Sequence, residues 1–222
     1  MRIVCIGSWG HFPMVLEGVK QLPECNVVGI APAYDGEDLS VLREMIGERW
    51  TPKQYLDRRE MLERLKPEVA IISTRMDMIA PSAIDAVRAG CHLICEKPLA
   101  LNLENLKALR RQISLSDVKL MAMHTMRDQP AFIAARKLVS EGRLGEPVLV
   151  NARKSYRWGK RPAWFGDRAL YGGTIPWIGI HGFDMIHFIT GLHMNRLTAI
   201  HGNQAQSSYE ACGDTALVMG QL

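Results

Sequence analysis

The sequence predicts an α/β protein: a doubly wound, mostly parallel sheet over residues 1–123, then an α+β unit with a largely antiparallel open sheet over 124–222. Three observations carry that expectation. Short apolar runs alternate with amphipathic stretches as far as Met123, the first run ends in a glycine turn, and beyond Met123 strands follow helices without the βαβ rhythm.

Taken in order, Arg2 to Ile6 reads as a strand, Gly7-Ser8-Trp9-Gly10-His11 as a turn, and Met14 to Leu22 as an amphipathic helix ending near Pro23. Val27 to Ile30 is the second strand. After a mobile-looking stretch, Pro52 to Leu65 reads as a helix with Pro52 near its first turn, rich in paired charges. Pro67 to Thr74 gives the third strand. A helix from Pro81 to Ala89 closes at Gly90. A helix from Leu103 to Ile113 starts at Asn102 as its cap, and Val118 to Met123 is a further strand. In the second unit, Pro130 to Glu141 is a helix, Pro147 to Arg153 a strand and Ile180 to Thr190 a helix. Two more strands are expected at Leu197 to Gln204 and Thr215 to Leu222.

Strand, glycine turn, helix, strand is how a dinucleotide-binding unit begins, with backbone N–H groups and a helix N-terminus receiving a pyrophosphate. Counted as G-x-G-x-x-G from Gly7, however, the second glycine position holds Trp9 and the third Phe12. An indole there obstructs the phosphates unless the turn is rebuilt around Gly10. The second strand runs into Ala31-Pro32, where an acid for the ribose hydroxyls is expected; Asp35, Glu37 or Asp38 could substitute from the loop.

The chain is organised around Cys91-His92-Leu93-Ile94-Cys95-Glu96-Lys97-Pro98-Leu99. This apolar run reads as a buried strand whose carboxyl end delivers Lys97 to the crevice where open α/β sheets bind ligands. Pro98 holds Lys97 extended, and a Lys-Pro bond is one of the few that can be cis. The plainer alternative is a strand end closed by a solvated Glu-Lys pair.

Composition narrows the class. The chain has 222 residues, 47% apolar and 23% charged, with a formal charge of +4. No run approaches the roughly 20 apolar residues that span a bilayer, and the first residues lead straight into a glycine turn. A cytoplasmic protein without membrane or nucleic-acid partners is expected. Five cysteines, an odd number with no C-x-x-C spacing, suggest reduced thiols and no metal.

These parts together resemble the glucose-fructose oxidoreductase and inositol dehydrogenase family (Gfo/Idh/MocA). The resemblance spans essentially the whole chain. It rests on the glycine turn, Ile71-Ile72-Ser73-Thr74, Ala89 to Ala100 around Glu96-Lys97-Pro98, Gly142-Arg143-Leu144-Gly145, and Gly172-Gly173 leading to His181-Gly182-Phe183-Asp184. It implies a Rossmann-like domain that binds NAD or NADP, a second domain serving substrate and homo-oligomer formation, and hydride transfer at a hydroxyl carbon of a sugar or cyclitol. It places Lys97 and His181 at that hydroxyl as catalytic residues, and Gly7, Trp9, Gly10, His11, Ser73, Thr74, Glu96 and Lys97 at the cofactor. A histidine titrates in the range needed to take the hydroxyl proton, and an ammonium steadies a developing alkoxide.

One departure is Trp177, standing four residues before His181 where the family pattern has Asp. This suits an alternative, a non-dehydrogenating ligand-binding or sensing relative on the same fold; a lyase or hydrolase using the cofactor transiently is a third possibility. The pattern stops at Leu222 inside a strand candidate, which fits either a piece of a longer chain or a small second domain. His124, Arg157, Trp164, Trp177 and His181 are the candidate substrate contacts, with Arg127 beside them at the domain junction. The loop Arg153 to Arg168, carrying Tyr156, Trp158 and Trp164 among cations, is either a solvated connection or a pocket wall. His181, Asp184 and His187 have poor spacing for a metal, and His187 is expected to pack.

Overall fold

Strand β1 (Arg2–Ile6) is buried from Ile3 onward because its β-branched run faces helices on both sides of a parallel sheet. The computed structural model describes residues 1–155, 157–209 and 212–222, and the chain divides into two units, Met1–Met123 and His124–Leu222. In the first unit the elements follow as α1 (Phe12–Lys20), β2 (Asn26–Ala31), α2 (Ser40–Ile46), β3 (Lys53–Gln54), α3 (Arg58–Leu65) and β4 (Val69–Ile72). Then come α4 (Met76–Arg88), β5 (His92–Cys95), α5 (Leu103–Ser114) and β6 (Leu120–Ala122). The sheet order is β3-β2-β1-β4-β5-β6, parallel throughout. Ile3, Cys5, Phe12, Leu16, Val27, Ile30 and Ile71 share one core cluster. Each large aliphatic side chain buried there stabilises the fold by about 1.5–3 kcal/mol.

Two expectations for this unit are corrected. Residues 40–65 do not hold a mobile stretch and one long helix. Leu39, Leu42 and Ile46, three and four residues apart, bury one face of α2. Lys53 and Gln54 add an edge strand opposite Gly29 and Ile30, and α3 starts later, where the Asp57 carboxylate accepts from Arg59 N–H. Helix α4 begins at Met76 rather than Pro81, so Pro81 lies inside it. The buried face Met76, Ile79, Ala80, Ala83 outweighs the one helical hydrogen bond the proline removes.

The second unit contains α6 (Pro130–Ser140), the short α7 (Arg168–Tyr171), α8 (Ile180–Thr190), β7 (Arg196–Gly202) and β8 (Thr215–Gln221). Helices α6 and α8 pack together. Strands β7 and β8 pair antiparallel, from Arg196 opposite Gln221 to Gly202 opposite Thr215. The strand expected at Pro147 to Arg153 is absent among the described residues. A strand needs a ladder partner; none of the strands among the described residues pairs with this segment, and Val148 is 99% exposed.

Candidate cofactor and catalytic site

Parallel strands put all their carboxyl ends on one edge. The order reverses between β1 and β4, the place where open α/β sheets receive ligands. Four segments of the first unit leave that edge: the Gly7–His11 turn, the loop after Ala31, Ser73-Thr74, and Glu96-Lys97.

Glu96 and Lys97 are 1% and 2% exposed, so the solvated ion pair at the strand end does not form. Glu96 Oε2 accepts from His11 N–H at 2.6 Å and lies 2.8 Å from His11 Nδ1, while Oε1 accepts from Lys97 N–H at 2.9 Å. Burial by itself pushes this carboxyl up; the hydrogen bonds and charge of His11, with Lys97, outweigh it and hold Glu96 below the ordinary carboxylate range. The Lys97-Pro98 peptide is cis.

The turn is built around Gly10, as the displaced glycine requires. Gly10 has φ +105°, and a Cβ there would meet the Glu96 carboxyl carbon at 2.9 Å. Gly7, at φ +82°, lies against Thr74 and the Ser73 carbonyl. Trp9 occupies the second glycine position with its backbone clamped: its N–H donates to Ser73 O at 2.9 Å and its carbonyl accepts from Ser73 Oγ at 2.6 Å. Ser73 and Thr74 are both buried. Among the described residues, the N–H groups of Gly10 and Phe12 have no protein acceptor. These two donors at the start of α1 fit an incoming phosphate.

In the second unit, a π-helical segment, Ile175–Gly179, runs directly into α8 and precedes His181, which is 5% exposed. The ring of His124 stands edge-on to His181, centroids 6.3 Å apart. Asp184 receives both Arg127 Nε, at 2.9 Å, and the Arg127 guanidinium terminus, with His124 Nδ1 at 3.6 Å. Its carboxylate is therefore committed within the protein. His187 turns instead to Leu192 O, 3.1 Å from its Nδ1, and to the ring of His193.

Trp177, a candidate substrate contact in the sequence, stands among aromatic rings. It is 5% exposed and meets Trp158, Phe165 and Tyr171 at ring distances of 5.8, 4.8 and 5.4 Å, with the Arg161 guanidinium 4.8 Å from its centroid. The Arg153–Arg168 loop is accordingly more than a solvated connection: Trp158 and Phe165 anchor it in this cluster, and half-buried Trp164 stacks at 4.4 Å on Phe165. Arg157 is exposed, and Tyr156 lies outside the described residues. Unanticipated from the sequence were the Arg127–Asp184 pair and the Tyr34–Arg75 stack, whose partners are far apart in the chain.

Residues 1–124 match the model of an oxidoreductase family with an NAD-binding Rossmann fold, and residues 132–222 match the GFO/IDH/MocA C-terminal domain. The 1,5-anhydro-D-fructose reductase of Ensifer adhaerens is 30% identical over 193 residues, covering 83% of this chain and 56% of the relative. The scyllo-inositol 2-dehydrogenase (NAD(+)) of Bacillus subtilis is 26% identical, covering 88% and 55%. A solved structure from Thermotoga maritima, described as an oxidoreductase, superposes with a TM-score of 0.92 at 41% identity, covering 98% of this chain and 67% of that one. The match covers between 36% and 58% of the length of these curated relatives.

Proposed function

The chain belongs to the Gfo/Idh/MocA oxidoreductase family, and from that premise we propose that it binds NAD or NADP and transfers a hydride between the nicotinamide and a hydroxyl-bearing carbon of a sugar or cyclitol. The observation that carries this reading is the burial of Lys97 at the carboxyl end of β5, beside a Glu96 held by the glycine turn. The bound nicotinamide supplies the hydride chemistry; everything else falls to side chains. Gly7, Gly10 and the N-terminus of α1 hold the phosphates, and Ser73, Thr74 and Trp9 line the turn. The Lys97 ammonium lowers the effective pKa of the substrate hydroxyl, and His181 takes its proton. His124, Arg157 and Trp164 are assigned to the substrate. Relatives named for inositol and anhydrosugars support the substrate class.

The five buried thiols suit a reducing cytoplasm, and among the described residues no helix is long and apolar enough to cross a membrane. A homo-oligomer fits the exposed Ile200 and Leu217 on one face of the two-stranded sheet. Trp177 in place of a carboxylate favours the second reading, a ligand-binding relative without dehydrogenase activity.

The test is to titrate the protein with NADH and NADPH by nicotinamide fluorescence, then screen sugars and cyclitols with NAD and NADP for change in nicotinamide absorbance. Binding with turnover supports the proposal. Sugar binding without nucleotide binding selects the second reading.

A further inference from the structure

We propose that Glu37 selects NAD over NADP at the cofactor site, an inference that rests on the dinucleotide-binding reading above. An acid just past the second strand ordinarily accepts from the adenosine ribose hydroxyls. Here β2 ends at Ala31 and runs into Pro32, so the position is vacant in the chain order. The fold refills it from the loop. Glu37 Oε2 accepts from Ala33 N–H at 2.7 Å, immediately beyond β2. Its Oε1 accepts from Thr74 Oγ at 2.6 Å, beyond β4, and from Ser8 N–H at 3.4 Å, beyond β1. A Cβ on Gly7 would stand 3.0 Å from that oxygen, so the carboxylate lies against the first glycine of the turn.

The other two acids of the loop do not take this place. Asp38 is engaged at the start of the next helix, its oxygens receiving Ser40 N–H at 2.8 Å and Ser40 Oγ at 2.7 Å. Asp35 is exposed. The carboxylate of Glu37 has about four acceptor positions and three donors, which leaves room for a ribose hydroxyl.

The surroundings disfavour a second phosphate. The neighbouring cation, Arg75, is already paired through two nitrogens with Asp77, at 2.7 and 2.9 Å, and lies over the Tyr34 ring at 4.1 Å. A 2′-phosphate, carrying about −1.5 to −2 charge, would meet the Glu37 carboxylate, while the cation that acts on it, Arg75, is already held by Asp77. Glu37 is partly buried, so this repulsion is weakly screened by salt.

The experiment measures the Kd of the protein for NADH and NADPH, and for ADP-ribose and 2′-phospho-ADP-ribose, with Glu37→Gln alongside. The wild type is expected to prefer the unphosphorylated member of each pair by about ten-fold or more. Glu37→Gln, which keeps an oxygen for Thr74, is expected to bring the ratio toward one by gaining affinity for the phosphorylated member. Equal affinities in the wild type, or an unchanged ratio in a folded variant, would overturn the assignment while leaving dinucleotide binding in place. Absence of binding by either dinucleotide would overturn the underlying reading and this inference with it. The two wild-type ratios decide the matter even where the variant does not fold.

Discussion

The imidazole Nδ1 of His11 lies 2.8 Å from Oε2 of Glu96, and the His11 backbone N–H donates to the same oxygen at 2.6 Å. One residue of the glycine turn thus holds a carboxylate at the end of β5 and fixes the entry to Lys97. Replacing the buried Glu96 by Gln gives the His11 N–H a weaker or mismatched partner and should cost about 1–3 kcal/mol. His11→Ala removes only the ring and should cost less, about 1 kcal/mol. In urea unfolding the double variant should be less destabilised than the sum. Strict additivity would show that the two residues are not coupled.

Glu96 and Glu37 make opposite predictions for pH. The folded protein holds Glu96 below its ordinary value of 4.5, so its contribution is present above that value and lost as pH falls through the lower folded one. Burial raises Glu37 above 4.5 against the hydrogen bonds of Thr74, Ala33 and Ser8. Its contribution is therefore complete below 4.5 and declines as pH rises through the folded value. Unfolding midpoints from pH 3 to 7 should show Glu96→Gln flattening the acid-side loss, and Glu37→Gln reducing the decline above about pH 4.5. Identical pH profiles for both variants and the wild type would contradict this assignment.

Gly10→Ala should be severe. It adds a Cβ 2.9 Å from the Glu96 carboxyl carbon at φ +105°. Gly36→Ala is the matched control, since φ is +79° but nothing lies within 4 Å. The control should lose only the backbone term, about 1–2 kcal/mol, and Gly10→Ala more than that together with dinucleotide affinity. Equal melting temperatures would show that the close approach to Glu96 is immaterial.

All five cysteines are free and buried. Burial pushes Cys5 up to about 12 and Cys91 up to about 11, and it raises Cys95 and Cys212 as well. Thiol-disulfide reagents at pH 8 should therefore find almost no reactive thiol in the native protein and all five in guanidinium. A fast-reacting native thiol would locate an opening segment.

Lys97→Ala should abolish turnover; because the Lys97 charge also helps hold the buried Glu96 ionised, melting temperature and nucleotide affinity measured alongside separate lost chemistry from lost folding. His181→Ala should lower kcat by roughly 10²–10⁴-fold. Unaltered activity in either variant removes that residue from the proton chemistry. Trp177→Asp is the complementary variant; since Trp177 packs against Phe165 and Tyr171, it should lose stability whether or not activity changes.

Much of the first unit was legible because its signals are local. The alternation that marks β1, β4 and β5, the Asn102 cap of α5 and the close of α4 near Gly90 each occupy a few neighbouring residues. Helix α2 was equally legible in the spacing of Leu39, Leu42 and Ile46, but the glycine and acids before it masked the pattern. The edge strand at Lys53-Gln54 had no such signal, since two exposed polar residues become a strand only by pairing with β2. Pro147 to Arg153 failed for the converse reason: its residues favour a strand, and none of the strands among the described residues pairs with it.

The order of residues was enough to set a parallel sheet with a glycine turn after β1 and an acid-lysine-proline step after β5, because periodicity and chain punctuation act over one or two turns of chain. Folding in three dimensions chose the partners. It joined His11 to Glu96 across 85 residues, picked Glu37 over Asp35 and Asp38 to face Gly7, and enclosed Trp177 among aromatic rings. Such choices depend on which buried donors and acceptors can satisfy one another once the core has closed, a condition that no short stretch of sequence contains.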